Sequence, residues 1–556
     1  MNGSPDSSRR GVAIAGVLVA AVLAVLACIV TADDAPVELD TAVKNVQAAA
    51  LWATGFRSMA IPYPGSAIDP MGIFFPFSPP FVFLSAGQYQ SIFPSAYAVL
   101  SALMFPFGLV AQRGLGVISG ALAAVACGWL SEHRPQRVPV WLLALATPVW
   151  FYAIANGEAA VALAFSTTAF AIALWESGPR TDFVAGALLG VAAIVRDEMM
   201  LLVPGLLVAR YLSVGRQAKL HVLLGAFAAP VLMMALADWA WLGRPPLAHL
   251  RHAVPILDTV LPRARAMLPR RAMLSWPERY QTIVGYWLVG GGPIVEMSIA
   301  AGIAAAFLTR RRAAGPIVLA AFLLALAAFN VRILIGLLPA PHSEEGLLRL
   351  SPFLILAVLP AAPDAPWSRV RTTALLTSLA FLGATAFSLT TTAGKGFGPR
   401  LTVGLWPLLV AAAWDGLMSW RSWQGSRPVR AFIIGSGVAL VGCAVVMQFA
   451  IALPAWAHRH REDVEALRFV RRLPDQVIVI DDMLELQVLA PEYLNRTVLM
   501  VARPGDWEAL GERLADAGVT RFTVLAVRAH DSETVAPFRY AESWQQSRHW
   551  IGRYVR

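Results

Sequence analysis

The chain has 556 residues, 57% of them hydrophobic and 14% charged, with a net charge of +10 and a mean hydropathy of +0.60. That balance is too apolar for a soluble globule, and no basic groove interleaved with stacking aromatics accompanies the positive charge, which argues against a nucleic-acid partner. Cys28, Cys127 and Cys443 all fall inside apolar runs, without metal-ligand spacing and without partners for a bridge in the polar loops.

The N-terminal stretch "MNGSPDSSRRGVAIAGVLVAAVLAVLACIVTADDA" pairs a basic start with an apolar run of roughly 20 residues. The run is long for a cleaved signal peptide and lacks a clear A-x-A site, so a retained span is expected. Next comes "VELDTAVKNVQAAALWATGF", Val37 to Phe56, which is helix-compatible from Asp40 to Gly55. Asp40 at its start suits an N-cap facing the positive end of the helix dipole, and capping alone would account for it. With Asp33, Asp34 and Glu38 it makes four acids in eight residues, at least two of which read as solvated loop charges.

Residues 65–113 hold too many prolines for an ordinary span and read as an irregular outer loop, followed by a helix in the membrane interface. Further spans are expected near 114–131, 138–154, 159–176, 183–196, 199–213, 220–242, 286–308, 315–338, 349–362, 372–391, 402–419 and 431–453, which with the first makes about 13. Alternate breaks, "SRR", "SEHRPQR", "ESGPR", "SVGRQAK", "TRRR", "SRVR" and "RSWQGSRPVR", each carry Lys or Arg and are placed in the cytoplasm. The opposite set then faces outward, including the "NGE" turn, the loop at 244–285 and the C-terminal tail. The 244–285 loop carries Arg244, Arg251, Arg263, Arg265, Arg270, Arg271 and Arg279, an exception to the rule with two readings: a topology error here, although long loops obey the rule weakly, or a loop that meets phosphate at the outer leaflet. His249, His252 and His342 are scattered outward and read as loop polarity rather than a metal triad, and Arg332 has Glu344 or Glu345 as candidate partners.

From about residue 456 the pattern changes. "VIVID", "TVLMV" and "RFTVLAV" read as short buried strands and "GDWEALGERLADAG" as a helix, giving a small α/β domain at 456–556 after a transmembrane domain at 1–455 with outer loops at 32–113 and 244–285. It has no glycine-rich phosphate loop, so a nucleotide role lacks support.

A span, then an outward acid opening a helix that ends sixteen residues on in "ALWATG", resembles the first outer loop of the polytopic C-type (GT-C) glycosyltransferases, the aminoarabinose and protein O-mannosyl transferase relatives among them. That family carries Asp followed by Glu; here Thr41 replaces the second acid, which removes support for a metal or acceptor role at that position. In the same order, "YPGSAIDPMGIFFPFSPPFVF" and "GQYQSIFPSAYAVL" are similar to the family's aromatic, Pro-rich loop. "FYAIANGEAAVALAF" is similar to its second outer turn, where another acid, Glu158, is expected. "AIVRDEMMLLVPGLL" and "GKGFGPRLTVGLWP" resemble later Arg-containing turns.

The resemblance implies an α-helical polytopic membrane protein with a small extracytoplasmic C-terminal α/β domain, in the inner cell membrane. Its implied activity is a hexosyl- or pentosyltransferase that moves sugar from a polyprenyl-phosphate-linked donor to an envelope glycan, lipid or protein, amid membrane lipids. No motif demands a cofactor, and a divalent metal ion is the one left open.

Attack by an acceptor hydroxyl needs a base and a cation for the departing phosphate. Asp40 is the base candidate, with Glu158 as the second catalytic acid. Glu38, Arg196, Lys395 and Arg400 are the substrate-binding candidates, since Arg can chelate phosphate through two donors. Each has a plainer reading: Arg196 paired with Asp197 or Glu198, Arg400 snorkelling to the interface, and Glu158 beside Asn156 as the cap of the next span. The competing functions are a lipid or glycan transporter or flippase, for which no repeated halves or midplane charges are visible, and a non-catalytic envelope assembly protein.

Overall fold

The computed structural model describes residues 5–31, 36, 39–77, 81–85, 87–132, 136–155, 157–176, 178–243, 327, 331, 347–362, 365, 367–388, 400–503, 505–527 and 534–556. The expected spans at 286–308 and 315–338, the Arg-rich loop, and Arg332, His249, His252, His342, Glu344 and Glu345 lie outside them. The chain forms two compact units: residues 1–25, 115–234 and 250–454 make the first, and residues 26–114, 235–249 and 455–556 the second.

Helices α1 (Pro5–Val30), α2 (Leu39–Ala53), α3 (Ser95–Met104) and α4 (Gly108–Leu130) come first, with a hairpin of β1 (Val82–Ser85) and β2 (Gln88–Ser91) before α3. The hairpin was not expected within the Pro-rich loop. Its prolines flank the strands rather than interrupt them, and Gly87 supplies the left-handed turn residue at φ +76°.

The first unit is helical. Among the described residues seven helices are long and apolar enough to cross a membrane: Ser8–Val30, Val110–Leu130, Glu158–Trp175, Asp197–Gln217, Leu220–Ala240, Leu401–Ser422 and part of Arg427–Arg472. The chain is a membrane protein.

The expected span at 138–154 is instead two short helices, α5 (Arg137–Leu145) and α6 (Val149–Ile154), because Pro148 cannot continue the first. Two longer helices follow, α7 (Glu158–Trp175) and α8 (Pro179–Val195). Around the span expected at 349–362, the described residues form a helix over Leu347–Leu350 and then a 3-10 turn from Pro352 to Val358. One acid holds the end of a basic break and the helix before it: Asp182 accepts from Arg210 and from the Lys219 backbone N–H at 3.0 Å.

The second unit is α/β. Its six-stranded sheet comprises β3 (Val477–Ile480), β4 (Thr497–Met500), β5 (Arg521–Ala526), β6 (Thr534–Val535), β7 (Phe538–Gln546) and β8 (His549–Val555), in the order β4-β3-β5-β8-β7-β6. The first three strands run parallel and the rest antiparallel.

Period-two alternation sends Ile478, Ile480, Val498 and Leu525 to one face of the sheet and Val477, Val479, Leu499 and Val524 to the other, so the parallel strands are apolar on both sides. The second face is covered by Trp507, Leu510 and Leu514 of the helix Asp506–Asp516. The first is covered by Val464, Leu467 and Val470 of the helix Leu453–Arg472, and by Ala42, Val43 and Val46 of α2. The segment after the first span is therefore part of the α/β core.

Candidate functional site

The run "LDTAVKNVQAAALWA" favours helix through its alanines and long unbranched residues, with Asp40 complementing the positive end. Leu39 opens the helix, so Asp40 sits inside the first turn rather than ahead of it. Gly55 and Phe56, both at positive φ, close it, with the Phe56 N–H donating to Leu51 O at 2.9 Å.

Three polar residues of α2 fall on one stripe: Asp40, Lys44 and Gln47, at i, i+4 and i+7, are 8%, 3% and 1% exposed. At 3.6 residues per turn they occupy an arc of about 60° and a length of about 10 Å along the axis. Lys44 Nζ stands 4.2 Å from the centre of the Phe93 ring, a cation–π contact. Thr41 is buried as well. Sequence reasoning did not single out Lys44, although its i+4 spacing from Asp40 was a usable signal.

In the first unit, Glu158 lies in the first turn of α7, behind an N-cap Gly157 whose backbone offers no side-chain cap. Arg196 follows α8 in extended conformation and reaches back to it: Nη1 is 3.0 Å from Glu158 Oε1, and Nε is 3.2 Å from Glu198 Oε2. The structure thus joins two of the sequence candidates, Glu158 and Arg196, and gives Arg196 two carboxylate partners. Asn156, Glu38, Lys395 and the side chain of Arg400 lie outside the described residues.

The second unit carries two further ionic groups that no local motif announced. Asp69 is fully buried and accepts from Tyr63 Oη at 2.9 Å, from the Phe74 backbone N–H at 2.7 Å and from Arg513 Nη1 at 2.5 Å. Burial first, and then the Asp69 carboxylate, push the Tyr63 phenol well above its usual range.

His549, also buried, lies between Asp463 and Glu485, with Nε2 3.0 Å from Asp463 Oδ1 and Nδ1 2.7 Å from Glu485 Oε2; Arg548 also donates to Asp463. Burial alone would lower the imidazole's pKa, but the two carboxylate hydrogen bonds outweigh it and hold it at about 9. Among the described residues no group of three or more His, Cys, Asp or Glu is placed to hold a metal ion.

No family model matches the chain, and no curated protein matches it by sequence. Among solved structures it is similar to ArnT from Cupriavidus metallidurans bound to undecaprenyl phosphate, at 14% identity over 97% of each chain with a TM-score of 0.48. The apo state of the same ArnT gives 14% identity, the same coverage and a TM-score of 0.40. The archaeal oligosaccharyltransferase AglB from Archaeoglobus fulgidus, in complex with an inhibitory peptide and a dolichol-phosphate, gives 12% identity over 92% of this chain and 69% of that one, with a TM-score of 0.39.

Proposed function

We propose that the chain is an integral membrane glycosyltransferase that moves a sugar from a polyprenyl-phosphate donor to an envelope glycan, lipid or protein acceptor on the outer face of the inner membrane. The observation that carries this reading is the buried pairing of functions on α2, the helix that follows the first span: a carboxylate, Asp40, and an ammonium, Lys44, one turn apart on the same stripe. A lipid-anchored donor presents its reactive carbon just beyond the end of a span. There Asp40 takes the proton of the acceptor hydroxyl as the new C–O bond forms. The bond from the anomeric carbon to the phosphate oxygen breaks with its electron pair, and the polyprenyl phosphate leaves as an anion facing a cation.

Arg400, Lys395 and Glu38 are the proposed substrate-binding residues, the first two for the donor phosphate, and in the first unit Glu158, paired with Arg196, is proposed to orient the acceptor. The extracytoplasmic placement of the 456–556 segment is supported by its sharing the α/β core with α2, since strands and a helix packed into one such core lie on the same side of a membrane, and the basic N-terminus assigns α2 to the outside. The 456–556 segment then positions acceptor, with chemistry confined to the membrane part and its outer helix.

Asp40→Asn tests the reading. Loss of a positioned base costs about 100-fold to 10,000-fold in rate, and Asn keeps the size and shape of the side chain. Transfer from polyprenyl-phosphate sugars collapses in protein that still purifies folded, as its melting curve shows; near-normal transfer would return Asp40 to a helix-end role. Mass spectrometry of envelope glycans and lipids in a deletion strain identifies the sugar and the acceptor.

A further inference from the structure

Gln47 is 1% exposed, and neither its amide nitrogen nor its amide oxygen has a hydrogen-bond partner among the described residues. A carboxamide offers two N–H donors and a carbonyl acceptor, and each buried group left unmade costs about 1–3 kcal/mol. Helix propensity gives no reason to keep it, since Met or Leu would serve an interior helical position as well. On β2, a strand that α2 packs against, Gln90 is 3% exposed and its Oε1 is likewise without a partner among the described residues. Two carboxamides on neighbouring elements therefore carry unfilled hydrogen-bonding capacity, and the α2 stripe that bears Gln47 also bears Asp40 and Lys44.

Deepening the glycosyltransferase reading, on which this inference rests, we propose that Gln47 recognises the sugar of the donor, its carboxamide donating to and accepting from the glycosyl hydroxyls. The stripe is about 10 Å long, room for a sugar whose anomeric carbon lies toward Asp40 and whose far hydroxyls reach Gln47. A neutral side chain with both donors and an acceptor suits hydroxyls, which both donate and accept. A phosphate accepts only, and the stripe already supplies an ammonium for it.

The test uses the full chain in detergent, Gln47→Met as a near-isosteric apolar replacement, and thermal stabilisation by two probes: polyprenyl phosphate alone, and a panel of polyprenyl-phosphate-linked hexoses and pentoses. Wild type is expected to be stabilised further by at least one sugar-bearing lipid than by the bare lipid phosphate. Gln47→Met should lose that increment, with about tenfold to hundredfold weaker binding of the sugar-bearing lipid, while keeping the response to bare lipid phosphate. Because the amide has no partner among the described residues, the variant without ligand should melt no lower than wild type. An unchanged sugar increment in the variant, equal responses of wild type to sugar-bearing and bare lipids, or a lower melting temperature of the unliganded variant would overturn the assignment of Gln47. Indifference of wild type to every lipid would instead overturn the glycosyltransferase reading itself.

Discussion

Arg196 and Glu158 form a buried ion pair, 3.0 Å from Nη1 to Oε1, that ties the residue ending α8 to the first turn of α7. Breaking a buried pair by removing one partner costs about 3–5 kcal/mol, because the survivor stays charged and unmatched. Arg196→Leu is therefore expected to lower the melting temperature of the purified protein markedly, and adding Glu158→Leu should recover most of the loss. Melting curves of the two variants decide it; a double variant no more stable than the single one would mean that the guanidinium acts mainly through Glu198.

A second prediction concerns Asp69, whose carboxylate links Tyr63, the Phe74 backbone and Arg513. Asp69→Ala leaves Arg513 without its carboxylate and unties residues 63–74 from the helix Asp506–Asp516, at a cost of about 3–5 kcal/mol. Limited proteolysis followed by mass spectrometry should find new cleavage between residues 57 and 77. Protection equal to wild type would show that apolar contacts alone hold the segment.

His549 gives the second unit a pH dependence of known sign. Its folded pKa, about 9, lies above the ordinary value of 6.5, so its contribution, on the order of 3 kcal/mol, is fully present below about pH 6.5 and is lost as pH rises through about 9. Thermal melts of wild type and His549→Gln from pH 6 to 10 should differ most at pH 6 and converge above pH 9. A gap that widened with rising pH would reverse the assignment of charge.

Topology supplies a fourth. Arg57, after α2, and Ser543, on β7, are exposed residues of the same unit. Single cysteines at these positions, in a background lacking Cys28, Cys127 and Cys443, are expected to react with an impermeant thiol reagent from the same side of the membrane, the outside of intact spheroplasts. Labelling of one before lysis and the other only after it would refute the shared core.

What the sequence revealed was local. The bounds of α2 and the strands at 477–480, 497–500 and 521–526 were legible because apolar period, strand length and breakers are written within a few residues of each other. The break at Pro148 was legible in principle, but the continuous apolar run from Val138 to Ile154 masked it. Asp69–Arg513 and Asp463–His549 were not legible, because partners 444 and 86 residues apart share no spacing rule. Of the site candidates, Asp40 and Glu158 stood out as acids at helix starts. Gln47 did not, since an orphaned amide can be recognised only once its surroundings are known.

The second unit is assembled from the two ends of the chain: Tyr493 Oη donates to Pro62 O at 2.8 Å across 431 residues of sequence. Ala42, Val43 and Val46 leave the ribosome more than 400 residues before the strands that cover them, with Ile478, Val498 and Leu525. At about 5–20 residues per second, the roughly 400 intervening residues keep that apolar face waiting for on the order of 20–80 s. Throughout that interval α2 has Ile61, Phe75, Phe77 and Val82 beside it but not the sheet, so residues 477–526 act as a late folding partner, and a truncation that removed them would leave Ala42, Val43 and Val46 with half of their core.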